Sequence, residues 1–138
     1  MNPTLSVYAA AYGGAALVLS VLDVLWLWLV VGRLYRAELG SLMRADVAMV
    51  PAVAFYLIYL VGVVVFAVMP AVASGSLQRA ALLGALLGFI AYCTYDLTNL
   101  ATLNGWPVKV ALLDIAWGTF ITALASVGGT WAVRLMRD

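Results

Sequence analysis

Leu5–Val31, LSVYAAAYGGAALVLSVLDVLWLWLVV, decides the fold, because a single charged residue, Asp23, interrupts an otherwise uncharged, apolar run. The run exceeds the ~20 residues a helix needs to cross a bilayer. It also exceeds the ~7–15 residue core of a signal peptide and has no basic residue before it, so it reads as a retained span. Working outward, three more runs of the same character follow, at Val47–Met69, Arg79–Leu103 and Pro107–Ala132. Of the 138 residues, 67% are hydrophobic and 9% charged, against about 25% charged in soluble domains. The sequence therefore predicts an all-α integral membrane bundle of four antiparallel transmembrane helices, a single domain over residues 1–138, since short connections force neighbouring spans to pack side by side.

The connections differ in kind. Gly32–Asp46 mixes Leu34, Leu39, Leu42 and Met43 with Arg33, Arg36, Glu38 and Arg44, the pattern of an interfacial helix or of a solvated loop. Pro51 is tolerated in a first helical turn, whereas Pro70 is expected to end the second span. Ser74-Gly75-Ser76 forms a short link, and Asn104-Gly105-Trp106-Pro107 a tight turn with proline opening the last helix. Gly84 and Gly88 are a small-xxx-small pair suited to close helix packing, within the chain or between protomers. Trp28 and Trp106 are expected in the interfacial aromatic belt, and the arginines after the first span favour a cytoplasmic first connection.

Composition removes several functions. Net charge is +1 and no basic cluster is large enough for a nucleic-acid footprint. The chain has no histidine, which excludes a bis-histidine haem and histidine-ligated zinc. Its only lysine, Lys109, lies at a helix entrance, leaving no span lysine for a retinal Schiff base. The lone Cys93 has no partner for an intramolecular disulfide and reads as a small buried hydrophobe.

What remains is the acids. Asp23, Asp96 and Asp114 lie inside apolar spans, where an ionisable group costs roughly 2.5–3.5 kcal/mol even on the lenient insertion scale. At ~1.5 Å per residue all three fall about 8–12 Å inside the end of the bundle that carries the first and third connections, in one layer. Tyr92, Tyr95 and Asn99 accompany Asp96 at helical spacing. Asp23 with Trp26, and Asp114 with Trp117, each place a carboxyl and an indole on one helix face. On the second span, Tyr56 or Tyr59 should turn inward, since a lipid-facing phenol at mid-bilayer lacks a partner. No span carries a base to balance these carboxyls, so at least one is expected to hold a proton unless a cation or water compensates.

Three functions fit. The first is proton-linked transport of, or chemistry on, a small or lipid-soluble ligand in an acidic chamber, with a homodimer supplying room for transport. The second is a divalent-cation site, with Asp23, Asp96, Asp114 and Asn99 as hard oxygen ligands and no cofactor identified by motif. The third is an accessory subunit of a larger membrane complex, docked through Gly84 and Gly88 and surrounded by membrane lipids.

The run Tyr92–Leu103, YCTYDLTNLATL, with Trp106-Pro107, and the segments Asp114-Ile-Ala-Trp-Gly118 and Leu22-Asp-Val-Leu-Trp-Leu27, resemble a family of small bacterial membrane proteins catalogued as domain of unknown function 2177. The resemblance covers essentially the whole chain. It implies a four-span protein of the bacterial inner membrane, with Asp23, Trp26, Tyr95, Asp96, Asn99, Asp114, Trp117 and Gly118 among its recognisable positions. It implies no activity.

Overall fold

In the computed structural model, which describes residues 4–137, the chain folds into four long helices. They are α1 (Leu5–Leu42), α2 (Met49–Ser74), α3 (Leu77–Thr102) and α4 (Val108–Arg137), each long and apolar enough to cross a membrane. In hydrocarbon every backbone N–H and C=O must be satisfied within the protein, so apolar runs of this length become helices.

The helix ends follow local chemistry. Ser76 caps α3 by accepting a hydrogen bond from the Arg79 N–H at 3.1 Å, so the helix starts at Leu77 rather than at Arg79. Gly75 closes α2 in the left-handed conformation, φ 65°, which the missing Cβ permits. Its carbonyl accepts a hydrogen bond from the Arg134 guanidinium at 2.8 Å. Arg134 thus fastens α4 to the α2–α3 link, and α4 runs past Ala132 to Arg137 with Val133 in the core.

Two boundary expectations are corrected. The first helix does not stop at Val31: it continues as a π-helix over Leu27–Tyr35, an α turn over Arg36–Leu39 and a 3₁₀ turn over Gly40–Leu42. The Gly32–Leu42 segment is therefore neither a separate interfacial helix nor a loop. Leu34, Arg36, Ala37, Glu38 and Leu39 are good helix formers, and positive φ first occurs at Gly40. Glu38 also pairs with Lys109 at the start of α4, 3.7 Å away. The helix is longer than a ~30 Å hydrocarbon layer requires, which leaves its arginine-bearing end outside. Pro70 likewise does not end α2. A π turn over Val64–Val68 precedes it, and this widening accommodates a residue that lacks an N–H and whose ring would strike the carbonyl of Phe66 in a regular α-helix.

α4 is the packing hub. Gly14 of α1 faces Gly128 and Ala132, and Gly129 faces the Ala11 carbonyl. Gly84 of α3 faces Thr122 and Ser126, and Gly88 faces Gly118 and Thr122. From Gly84 to Gly88 on α3 the facing residues on α4 fall from Ser126 to Gly118, and from Gly14 to Asp23 on α1 they fall from Gly128 to Trp117, so α4 runs antiparallel to both. Thr122, Ser126 and Thr130 turn their hydroxyls onto the carbonyls of Gly118, Thr122 and Ser126 at 2.6–2.8 Å, and the seam carries no unmatched hydroxyl. The Gly84/Gly88 surface is consumed inside the chain, which removes it as a contact for a partner.

α2 is fitted less closely. Its second half, from the π turn onward, packs on α3, while its first half stands off from α3. A lateral gap results at the end of the bundle where the acids lie.

Candidate functional site

The gap leads to a cavity of about 420 Å³ lined by all four helices, including Asp23, Trp26 and Tyr35 of α1, Phe55 and Tyr56 of α2, Tyr92 and Tyr95 of α3, and Asp114 and Trp117 of α4. Its size is that of a small-molecule site. Its wall is aromatic and aliphatic apart from two carboxyls and the phenol hydroxyls.

Asp23 is held from two sides. The Tyr56 hydroxyl donates to Oδ2, and the Trp117 indole N–H donates to Oδ1 at 3.3 Å. The two Asp-x-x-Trp pairs thus trade partners: Trp117 serves the acid of α1 rather than Asp114 on its own helix. Its ring lies flat on Trp26, with centroids 4.4 Å apart and planes 5° from parallel. Of the two tyrosines on α2, both turn inward. Tyr59 contacts Thr122 at 2.8 Å, and since the Thr122 hydroxyl already donates to Gly118, Tyr59 is the donor.

Asp114 accepts a hydrogen bond from the Tyr35 hydroxyl at 2.7 Å. Tyr35 was assigned by sequence to the first connection, beyond the span. An α-helix advances about 100° per residue, so nine residues would set Tyr35 about 180° from Trp26. The π-helix spanning those nine residues advances less per residue and returns Tyr35 to the cavity side. No periodicity argument finds this residue, because it depends on a local change of helix type. Tyr35→Phe is expected to cost about 1–3 kcal/mol, the range for leaving a buried acceptor without its donor. Equilibrium unfolding of the two proteins in matched detergent checks it.

Asp96 lies behind Asp114. It is fully buried, and neither carboxyl oxygen has a hydrogen-bond partner. The Trp106 indole N–H is also buried and unpartnered. Trp106 packs edge-on against Tyr95, centroids 5.7 Å apart, rather than serving purely as an interfacial belt residue. Trp28, by contrast, is 77% exposed and takes no part in the cavity.

The remaining sequence candidates sit at the margin. Tyr92 lines the cavity and packs against Gly118 and edge-on to Tyr59. Tyr95 is half exposed at the rim, and Asn99 is half-buried with no side-chain hydrogen bond to any of the three acids. Thr94 and Thr98 bond to carbonyls of their own helix, the ordinary role of threonine in a membrane helix. Among the described residues, no group of three acidic, cysteine or histidine side chains is arranged to hold a metal ion.

Residues 8–131 match the profile of a family described as "Predicted membrane protein (DUF2177)". No curated protein and no solved structure matches the chain.

Proposed function

The chain belongs to the DUF2177 family of predicted membrane proteins, and from that premise we propose that it binds a small, lipid-soluble ligand in its intramembrane chamber and couples that binding to proton exchange. The observation that carries this reading is the cavity itself: about 420 Å³ with two carboxyls in an aromatic wall. A bundle with a purely structural role has no need of an open acidic chamber, and its glycine seam is already filled.

Each acid has a distinct part. Asp23, gripped by Tyr56 and Trp117, is the fixed anchor for the polar end of the ligand. Asp114, held by Tyr35, and Asp96 behind it form a proton-sharing pair. A buried carboxyl that makes no hydrogen bond favours its protonated form, and two neighbouring carboxyls in an apolar site do not both ionise. Ligand entry displaces or reorients that proton. In this reading the chain lies in a bacterial cytoplasmic membrane, and the arginines that follow the first span favour a cytoplasmic first connection.

Native mass spectrometry of the full chain, released from mild detergent, tests this reading. The expected result is a bound molecule of defined mass that is lost in Asp23→Asn and Asp114→Asn variants of unchanged fold. A chamber empty in the parent protein, or a ligand retained equally by both variants, overturns it.

A further inference from the structure

We infer that the ligand of this chamber is a lipophilic organic cation, an amine or quaternary ammonium bearing an apolar tail and no phosphate, that enters sideways from the bilayer between α2 and α3. This rests on the reading that the chamber binds a ligand and specifies its class.

Charge is the first argument. Two carboxyls line the cavity and a third is buried behind them, while no lysine or arginine lines it. The nearby bases are committed or outside: Lys109 pairs with Glu38 at the surface, and Arg33 and Arg36 are exposed. An anion would meet like charge without a countercharge, and a phosphate-bearing headgroup would meet the same obstacle.

The wall is the second. The stacked indoles of Trp26 and Trp117, with the rings of Tyr56, Tyr92 and Phe55, line the cavity beside Asp23. Aromatic faces attract cations, most strongly where water is excluded, and cages of this kind recognise alkylated ammonium groups. Asp23 accepts one hydrogen bond on each oxygen and keeps acceptor capacity on both, and a diffuse cation needs only proximity to it.

The opening is the third argument. The first half of α2 stands off from α3, and the rim residues Phe55 and Tyr95 are 49% and 53% exposed toward what is lipid in the membrane. An apolar tail left in the bilayer while the charged end reaches Asp23 fits this geometry.

A cation competes with protons for these carboxyls, so affinity falls as pH falls. The groups facing Asp23 are Tyr56 from α2, Tyr92 from α3 and Trp117 and Asp114 from α4; Asp114 in turn faces Tyr35 and Asp96.

The test is calorimetric titration of the full chain in an uncharged maltoside detergent with benzyltrimethylammonium, its neutral carbon isostere neopentylbenzene, and benzylsulfonate. Saturable binding of the ammonium alone is expected, weakened about tenfold or more by Asp23→Asn and weakened in the parent as pH is lowered. Should Asp23→Asn fail to fold, Trp26→Leu replaces it, and the expected result is lower affinity for the ammonium than in the parent protein. Equal binding of neopentylbenzene, or binding of benzylsulfonate, overturns the cation assignment and leaves the ligand chamber standing. Displacement of the probe by phosphatidylethanolamine moves the ammonium to a lipid headgroup and overturns the phosphate-free class. No heat from any probe, together with no bound molecule in native mass spectrometry, sinks both readings.

Discussion

Gly88→Leu is expected to abolish the folded bundle. A Cβ at position 88 would overlap the Gly118 carbonyl oxygen and crowd the Thr122 side chain. Overpacking a core with flexible neighbours costs about 1–3 kcal/mol. Here the obstacle is backbone on α4, and relief requires α3 to back away from the hub helix along its length. The cost should exceed that range, and loss of a monodisperse peak in size-exclusion chromatography, with loss of a cooperative thermal transition, is the measurement. A Gly88→Leu protein melting within a few degrees of the parent would show that the α3–α4 seam is looser than described.

Asp96→Asn should act in the opposite way, sparing the fold and removing the function. Asn is nearly isosteric with Asp, and its amide keeps a donor beside Asp114 in place of the acid's proton. The thermal midpoint should therefore hold or rise. The exchangeable proton of the pair disappears, and the loss of a positioned acid or base commonly lowers activity about 10²–10⁴-fold. Proton uptake or release on ligand binding, followed with a pH indicator in weakly buffered detergent solution, should fall to background. Undiminished proton release by the variant would remove Asp96 from the mechanism.

Much of this was legible in the sequence, and the failures have physical causes. Four apolar runs declare four membrane-capable helices because hydrocarbon allows few other backbones. Asp23, Trp26, Tyr56, Tyr92, Asp114 and Trp117 stand out because polar and aromatic groups are costly or conspicuous there, and they do line one cavity. Tyr35 was hidden by the assumption of 3.6 residues per turn through Leu27–Tyr35, which the chain does not obey. Pro70 misled for a related reason: the π turn before it absorbs the break. The exchange of tryptophans between Asp23 and Asp114 was unreadable, since spacing within one helix says nothing about which residue of another helix comes near. Asn99, singled out by spacing, makes no side-chain hydrogen bond to any of the three acids.

The four helices are not bound together evenly. At one end, glycines and back-bonded hydroxyls bring α1, α3 and α4 into close contact, and Arg134 ties the last helix to the Gly75 link. At the other, α2 leans outward from its π turn and leaves a wedge among aromatic rings. Descendants of this chain can accordingly alter one end by substitution of Phe55, Tyr95 or Leu27 while inheriting the other almost unchanged. If the wedge holds the proposed ligand, the architecture separates the freedom to change a guest from the obligation to remain folded.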